Sequence, residues 1–393
     1  MEIQISQRLQ ELKPSTTLAV AARAAELKAA GKDIIDFSAG EPDFDTPKHI
    51  KRAAIKAIDD GMTKYTAVDG ILPLRKAICE KFERENALTY APDQVLVSVG
   101  CKHSIYNLMQ ALLNEGDEVI IPAPYWVSYP DMVLLTGAKS FIVETGLDQA
   151  NKMLPEQLEA AITAKTRLLI LNSPSNPSGV AYTKVELAAL GEVLLRHPQV
   201  VVATDDIYEH IIWHGEPFSN ILNACPDLYD RTVVLNGVSK AYAMTGWRIG
   251  YAAGPRNLIR AMKNLQSQST SNPTSIAQAA ALAAITGDQS FVKKSRETFK
   301  QRHDFIHATL NKIDGVRCPP AQGTFYIFPN LDGAMRRLGI ANDLALAEYL
   351  LDKAGLAVVP GSPFGAPGFI RLSFATSMEN IEKGLARLAQ ALT

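Results

Sequence analysis

The chain has 393 residues, 47% of them hydrophobic and 21% charged, with a formal net charge of −1. That length exceeds what one hydrophobic core usually sustains, so two domains are expected, and the near-zero charge provides no global field for nucleic acid or an anionic membrane. Four scattered cysteines, Cys79, Cys101, Cys225 and Cys318, form no CxxC pair, which argues against a zinc knuckle or dithiol redox site and for reduced thiols in the cytoplasm.

The opening MEIQISQRLQELKPS has no apolar segment followed by a small-residue cleavage site, so no secretory leader is read there. A short strand over Ile34–Ser38 leads into the loop AGEPDFDTP. From residue 94 onward, short apolar runs alternate with amphipathic stretches. Strands are predicted over Gln94–Val99, Glu118–Ile121, Ser140–Val143, Arg167–Leu171, Val200–Thr204, Thr232–Leu235 and Ile249–Ala252, with helices such as His103–Leu113, Pro155–Ala164 and Lys184–His197 between them. Several of these strands are apolar throughout, the pattern of strands covered on both faces. Strand alternating with helix implies an α/β fold with a mostly parallel seven-stranded sheet, whose ligand sites lie beyond the carboxyl ends of the strands.

The stretch Ile276–Ile285 is the longest apolar helical run, and Gln278 interrupts it. It falls short of the roughly 20 residues that span a bilayer and reads as a buried core helix. After about residue 286 the pattern changes. Charged helices over Ser290–Ile313 and Asp343–Ala354 bracket short strands over Thr324–Phe328 and Phe369–Ser373, the pattern of a smaller α+β domain. The expected division is residues 1–45 as an N-terminal arm and part of the small domain, 46–286 as the large domain, and 287–393 as the small C-terminal domain.

Four segments carry chemistry. In NGVSKAYAMTGWRIGY, Lys240 follows a buried strand, with Ser239 before it and Arg248 eight positions on. A lysine crowded by an arginine is disfavoured as an ammonium ion, and its neutral amine is a nucleophile; the arginine fork suits a phosphate. A plain surface lysine and arginine is the bland alternative. In NSPSNPSG, two prolines and a glycine fix a tight loop that presents Asn176. In TDDIYEH, Asp205 ends a strand and Tyr208 follows. A carboxylate buried there needs a cationic or protonated partner such as a pyridinium nitrogen, and two solvent-facing acids are the alternative. In SVGCKHSIYNLMQ, the amides of Gly100, Cys101 and Lys102 form an anion site at a helix N-terminus, a weak signal taken alone.

Together these segments resemble a class I pyridoxal-phosphate-dependent aminotransferase of fold type I, and within it the aspartate/prephenate aminotransferase subgroup. The resemblance runs from LKPS through SAGEPDFDTP to IRLSFA and rests on the SK-x7-R and NxPxNPxG motifs. It implies pyridoxal 5'-phosphate as cofactor, bound to Lys240 as a Schiff base, and Lys240 as the base that moves the substrate proton. By the same resemblance Asp205 would keep the ring nitrogen protonated, and Tyr208 and Asn176 would bond the ring's phenolic oxygen. Ser239, Arg248 and the turn Gly100, Cys101, Lys102 would hold the phosphate, and Trp126 would stack on the ring. Gly40, Trp126, Asn176 and Arg371 would bind the substrate, Arg371 as a fork on its α-carboxylate. Tyr65, in KYTAVDG, would reach the phosphate of a neighbouring subunit, which implies a homodimer with shared sites. Two positions depart from the pattern. Gly237 stands where wider relatives carry a serine, and His103 stands in place of a glutamine.

Lys102 and Lys13 offer charges for a second substrate carboxylate. The expected substrates are therefore aspartate or glutamate with a 2-oxo acid such as 2-oxoglutarate, by a ping-pong route, and possibly prephenate. If Lys102 serves only the phosphate, alanine, methionine or aromatic amino acids stay open, as does a pyridoxal-phosphate-dependent β-lyase. A nicotinamide oxidoreductase is disfavoured because no GxGxxG follows the first strand. A non-catalytic relic is disfavoured by the completeness of the set. His303 with His307 and His210 with His214 share helical spacing, but without acids at ligand spacing no metal site is expected.

Overall fold

The computed structural model describes residues 3–12, 16–213 and 215–393. Twelve strands occur among them: β1 (Ile35–Asp36), β2 (Val95–Ser98), β3 (Glu118–Pro122), β4 (Lys139–Val143), β5 (Thr166–Asn172), β6 (Val201–Asp205), β7 (Thr232–Gly237), β8 (Gly250–Ala253), β9 (Tyr326–Ile327), β10 (Leu356–Ala357), β11 (Val359–Pro360) and β12 (Ile370–Ser373). The seven predicted central strands form one sheet in the order β2-β8-β7-β6-β5-β3-β4. Only β8 breaks the parallel arrangement, running antiparallel to both of its neighbours.

The central strands are apolar at consecutive positions because both faces of the sheet are covered. Leu168 and Ile170 of β5 join one core layer, and Leu169 and Leu171 join the other, as the two-residue strand period requires. The helix Cys101–Leu112 covers the first face with Ile105, Leu108 and Met109. The helices Lys48–Asp59, Leu72–Asn86 and Ser275–Thr286 cover the other with Ile50, Ala54, Ile78, Ala277 and Ala281. At the far edge β4 instead alternates exposed and less exposed positions.

In the C-terminal region β11, β12 and β9 form a small antiparallel sheet, and β1 pairs in parallel with β10. The long helix Ser290–Leu310 and the helix Asp343–Ala354 lie where the pattern placed helices. Two predicted strands are reduced to two residues each. Ile34–Ser38 reduces to β1 because the Asp36 carboxylate captures the Ser38 amide (2.8 Å) and hydroxyl (2.6 Å), turning the chain out of the ladder. Thr324–Phe328 reduces to β9 because Thr324 adopts φ 66°, which no extended strand accommodates. No helix among the described residues is long and apolar enough to cross a membrane.

Candidate active site

Sheet topology brings the singled-out residues together. β2 and β7 run in the same direction, since each is antiparallel to β8, and β7, β6 and β5 are mutually parallel. The turns after β2, β5, β6 and β7 therefore emerge at one edge, carrying Cys101 and Lys102, Asn176, Asp205 with Tyr208, and Ser239 with Lys240. Because β8 runs the other way, the residue just before it, Arg248, enters at that same edge. All of these line one cavity of about 550 Å³, joined by Gly40, Trp126, Tyr326 and Arg371. Its ionisable lining includes Lys102, Lys240, Arg248 and Arg371 against Asp36, Glu41 and Asp205.

One end of the cavity is built for an anion. Gly100 caps the helix Cys101–Leu112 with φ 86°, and a Cβ there would lie 2.1 Å from an Arg248 guanidinium nitrogen. A Cβ on Gly250 would lie 2.1 Å from the Cys101 amide nitrogen. These two glycines let the helix start and the guanidinium approach each other. Arg248 is fixed by donation to the carbonyls of Thr245 (2.8 Å) and Val99 (3.4 Å). Free helix-start amides, a planar cation and the Ser239 hydroxyl make a phosphate-sized cradle. Gly237 pairs with Gly250 across β7 and β8, and a Cβ there would come within 3.0 Å of Gly250 Cα. His103 Nδ1 accepts the Val99 amide at 3.3 Å, a helix-start role.

The centre holds an amine and a carboxyl group, both desolvated. Lys240 Nζ donates to the Gly40 carbonyl at 2.7 Å. Burial, reinforced by Arg371, pulls its pKa down to about 8. Asp205 is buried and pushed up to about 6 by loss of solvent. Its Oδ2 accepts the Tyr129 hydroxyl at 2.6 Å, and its Oδ1 faces the Cys101 thiol at 3.9 Å and the Ile207 amide at 3.4 Å. The Tyr208 hydroxyl donates to Tyr326 Oη at 3.2 Å, and burial raises the Tyr208 pKa well above the usual phenol value.

The other end carries Arg371, 2% exposed and sandwiched by the rings of Tyr326 (4.4 Å to centroid) and Phe364 (5.3 Å). It donates to Asn176 Oδ1 (3.1 Å) and the Ser38 carbonyl (2.8 Å), while its buried Nε has no partner. Such an orphaned donor is costly unless a ligand meets it. Lys102 Nζ lies 4.8 Å over the Trp126 ring, and burial, followed by repulsion from Arg248, lowers its pKa.

The chain as a whole is similar to known proteins. The family described as aminotransferase class I and II matches residues 32–388. The chain belongs to that family. An aspartate/prephenate aminotransferase of Nitrosomonas europaea is 56% identical over 397 residues, covering 100% of both chains. An aspartate aminotransferase of Geobacillus stearothermophilus is 50% identical over 387 residues, 98% of each. Among solved structures, the aspartate aminotransferase of Rhizobium meliloti superposes with a TM-score of 0.96 at 48% identity, covering 100% of this chain and 99% of that one. That of Thermus thermophilus with maleate gives 0.93 at 43%, covering 99% and 100%. The α/β architecture is that of the fold type I aminotransferases.

Not every residue expected at an aminotransferase site lies on this cavity. Tyr65 is 91% exposed, away from it. Lys13 and His214 lie outside the described residues. Tyr129 and Tyr326 belong to the cavity but were missed in the sequence. For Tyr129 a signal existed, because it stands three positions after Trp126, about one helical turn on. For Tyr326 none did. The histidines are otherwise engaged. His303 Nε2 accepts the Ala321 amide at 3.0 Å. His210 does meet acids, its chain neighbour Glu209 and Glu85, which folds in from 125 positions away, correcting the expectation that it lacks them. The buried Lys81 ammonium is bonded to Glu209 and lies 3.6 Å from Glu85, so the acids already have a cation.

Proposed function

We propose that this aminotransferase moves an amino group between aspartate or glutamate and a 2-oxo acid such as 2-oxoglutarate by a ping-pong route with pyridoxal 5'-phosphate, and that prephenate is a further acceptor. One observation carries the reading: an anion cradle, a desolvated amine, a buried carboxyl and an arginine with an unpaired donor line one cavity. The donor set fits the cofactor, whose groups are a phosphate, an aldehyde and a basic ring nitrogen. When bound, the cofactor supplies an electron sink conjugated to the substrate carbon.

The chain's residues have separable tasks in this reading. Gly100, Cys101, Lys102, Ser239 and Arg248 hold the phosphate. Asp205 keeps a proton on the ring nitrogen by remaining a carboxylate, and Trp126 packs against the ring. Asn176 Oδ1 is taken by Arg371, which leaves its amide hydrogens to donate to the ring's phenolic oxygen, joined by the Tyr208 hydroxyl once it turns there from Tyr326. Lys240 would hold the cofactor, and its neutral amine would take the proton from the substrate Cα. Arg371, with Gly40 and Asn176, binds the α-carboxylate. Lys102 and Lys13 meet the distal carboxylate. The maleate in the Thermus thermophilus protein is likewise a dicarboxylate.

The working unit we propose is a cytoplasmic homodimer with shared sites, in which Tyr65 serves the phosphate of the second copy; its outward placement supports this. The four free cysteines suit a reducing compartment. We divide the chain at residues 45 and 286, with 1–45 and 287–393 forming the smaller unit, a division supported by the pairing of β1 with β10.

A half-reaction panel tests the substrate reading. Each amino acid is mixed with the holoenzyme and conversion of the cofactor to its amine form is followed by absorbance. Aspartate and glutamate should lead alanine, methionine and phenylalanine, and Lys102→Met should erase that lead. The opposite order, or an unchanged lead in Lys102→Met, removes the dicarboxylate assignment.

A further inference from the structure

Two fully buried glutamines sit where an apolar core would be expected to exclude them. Gln266 lies on the helix Arg256–Ser267, and Gln278 interrupts the otherwise apolar helix Ser275–Thr286; both are 0% exposed. Burying a primary amide is unfavourable unless its donors and acceptors are satisfied, and here both amides find partners on one segment, at Thr66, Val68 and Ile71. Gln278 Oε1 accepts the Ile71 amide at 2.7 Å, and its Nε2 donates to Thr66 Oγ1 (3.0 Å) and the Pro273 carbonyl (2.8 Å). Gln266 Nε2 donates to the carbonyls of Val68 (2.7 Å) and Val97 (2.9 Å). Its Oε1 accepts from Ser98 Oγ (2.7 Å) and Asn107 Nδ2 (3.0 Å).

The segment so held runs from Met62 to Ile71. Ser275 Oγ fixes its start at the Met62 carbonyl (2.6 Å), and Lys263 and Arg75 hold Asp69 Oδ2 (2.9 and 3.2 Å). It lies along β2, the edge strand of the large sheet, with the Val97 amide donating to the Asp69 carbonyl at 3.1 Å. A Cβ on Gly70 would lie 2.8 Å from Val97 Cβ, so the contact is close. The segment thus covers an edge that would otherwise be open. Tyr65 projects from it, 91% exposed between the anchors at Met62 and Thr66. β2 continues through Ser98 into the Gly100 turn.

We propose that Gln266 and Gln278 are positioning residues that hold the 62–71 segment in place, Gln266 against β2 and Gln278 against the helix Ser275–Thr286, so that Tyr65 is presented at a fixed place to the phosphate site of a second copy of this chain. The proposal rests on the reading that Tyr65 serves that second copy. The Gln266 amide bridges the Tyr65 segment to the strand that ends in the chain's own phosphate turn, and the Gln278 amide ties the segment to the helix Ser275–Thr286. The two phosphate sites of a pair therefore share one rigid connection.

The test is a double-mutant cycle on the holoenzyme, read as the dissociation constant for pyridoxal phosphate, with hydrogen exchange at the Ile71 amide as a second readout. Tyr65→Phe should weaken cofactor binding about tenfold, the scale of one hydrogen bond to a charged group. Gln278→Leu should weaken it comparably and speed exchange at Ile71. The double variant should bind no worse than Tyr65→Phe alone, because Gln278 acts through Tyr65. Fold-changes that multiply in the double variant, or native affinity in Gln278→Leu, would overturn the positioning role while leaving the Tyr65 reading intact. Native affinity in Tyr65→Phe would overturn that reading and the positioning role with it. Should Gln278→Leu fail to fold, Thr66→Val removes only the segment's side of one bond and takes its place, with a smaller loss of about threefold expected by the same cycle.

Discussion

The Tyr129 hydroxyl lies 2.6 Å from Asp205 Oδ2 and donates to a carboxyl group that burial has pushed up to about 6. The bond favours the carboxylate over the acid, opposing the desolvation that otherwise protonates it. Tyr129 is itself raised well above the usual phenol range, first by burial and then by that same carboxylate, so its proton stays in place. The pair keeps Asp205 closer to ionised at neutral pH than its burial alone would.

Tyr129→Phe should therefore raise the Asp205 pKa further. At pH 7 more of the carboxyl would be protonated and unable to face a protonated ring nitrogen. Cofactor binding should weaken about tenfold there, on the order of 1.5 kcal/mol for a hydrogen bond to a charged acceptor. The loss should shrink near pH 8.5, where Asp205 ionises again. Equal dissociation constants for the two proteins at both pH values would count against this role.

In the proposed reading Lys240 captures the cofactor as a neutral amine, and its pKa of about 8 sets when that amine is available. The rate at which cofactor-free protein captures pyridoxal phosphate covalently should rise about tenfold per pH unit below that value and level off above it. Arg371 is the largest charge contribution to the depression, so Arg371→Met should move the midpoint upward. Rapid-mixing absorbance between pH 6 and 9.5 reads both. Lys240→Ala should abolish capture and lower turnover by roughly a thousandfold.

Gly100→Ala would place a Cβ 2.1 Å from Arg248 in a backbone with φ 86°. The guanidinium must move off the cradle or the turn must open, at a cost of about 1–3 kcal/mol. Weaker competition by inorganic phosphate against cofactor loading, together with a lower melting temperature of the cofactor-free protein, is the expected pair of results. Unchanged phosphate competition would mean that the turn does not form the anion site.

Asp205 also makes the stability of the cofactor-free chain depend on pH. Its folded pKa of about 6 exceeds the ordinary 3.8, so between these values the folded chain binds more protons than the unfolded one. The contribution is fully present below about pH 4 and is lost as pH rises through 6, to a ceiling of roughly 3 kcal/mol. Asp205→Asn should flatten that part of the profile in denaturant titrations. A slope unchanged by the substitution would assign it to other groups.

Much of the site could be read before the structure because strand ends leave local marks. Lys240, Asp205 and Asn176 each follow an apolar run, and prolines and glycines mark the turns that carry them. What stayed hidden depends on tertiary proximity alone. Tyr129 meets Asp205 across 76 positions, Gln266 meets Val68 across 198, and Lys81 meets Glu209 across 128. Side chains at such separations leave no periodic trace, and a buried glutamine reads as an interruption until its partners are in place. The overlong strands β1 and β9 failed for a local reason instead: hydropathy patterning does not register the side-chain capture at Asp36 or the backbone sign at Thr324.

Arg371 reaches the Ser38 carbonyl across 333 positions of chain. The seven strands of the large sheet are all complete by residue 253, whereas the wall that carries Arg371 is among the last parts of the chain to be synthesised. A nascent chain can thus hold a finished sheet and an unfinished pocket. Closing so large a loop is an entropically slow, late event, and a ligand that recognises only the closed form cannot template it. Its contribution comes afterwards, by mass action on molecules that have already folded. Truncation near the C-terminus should accordingly spare most of the secondary structure and remove the binding of small molecules.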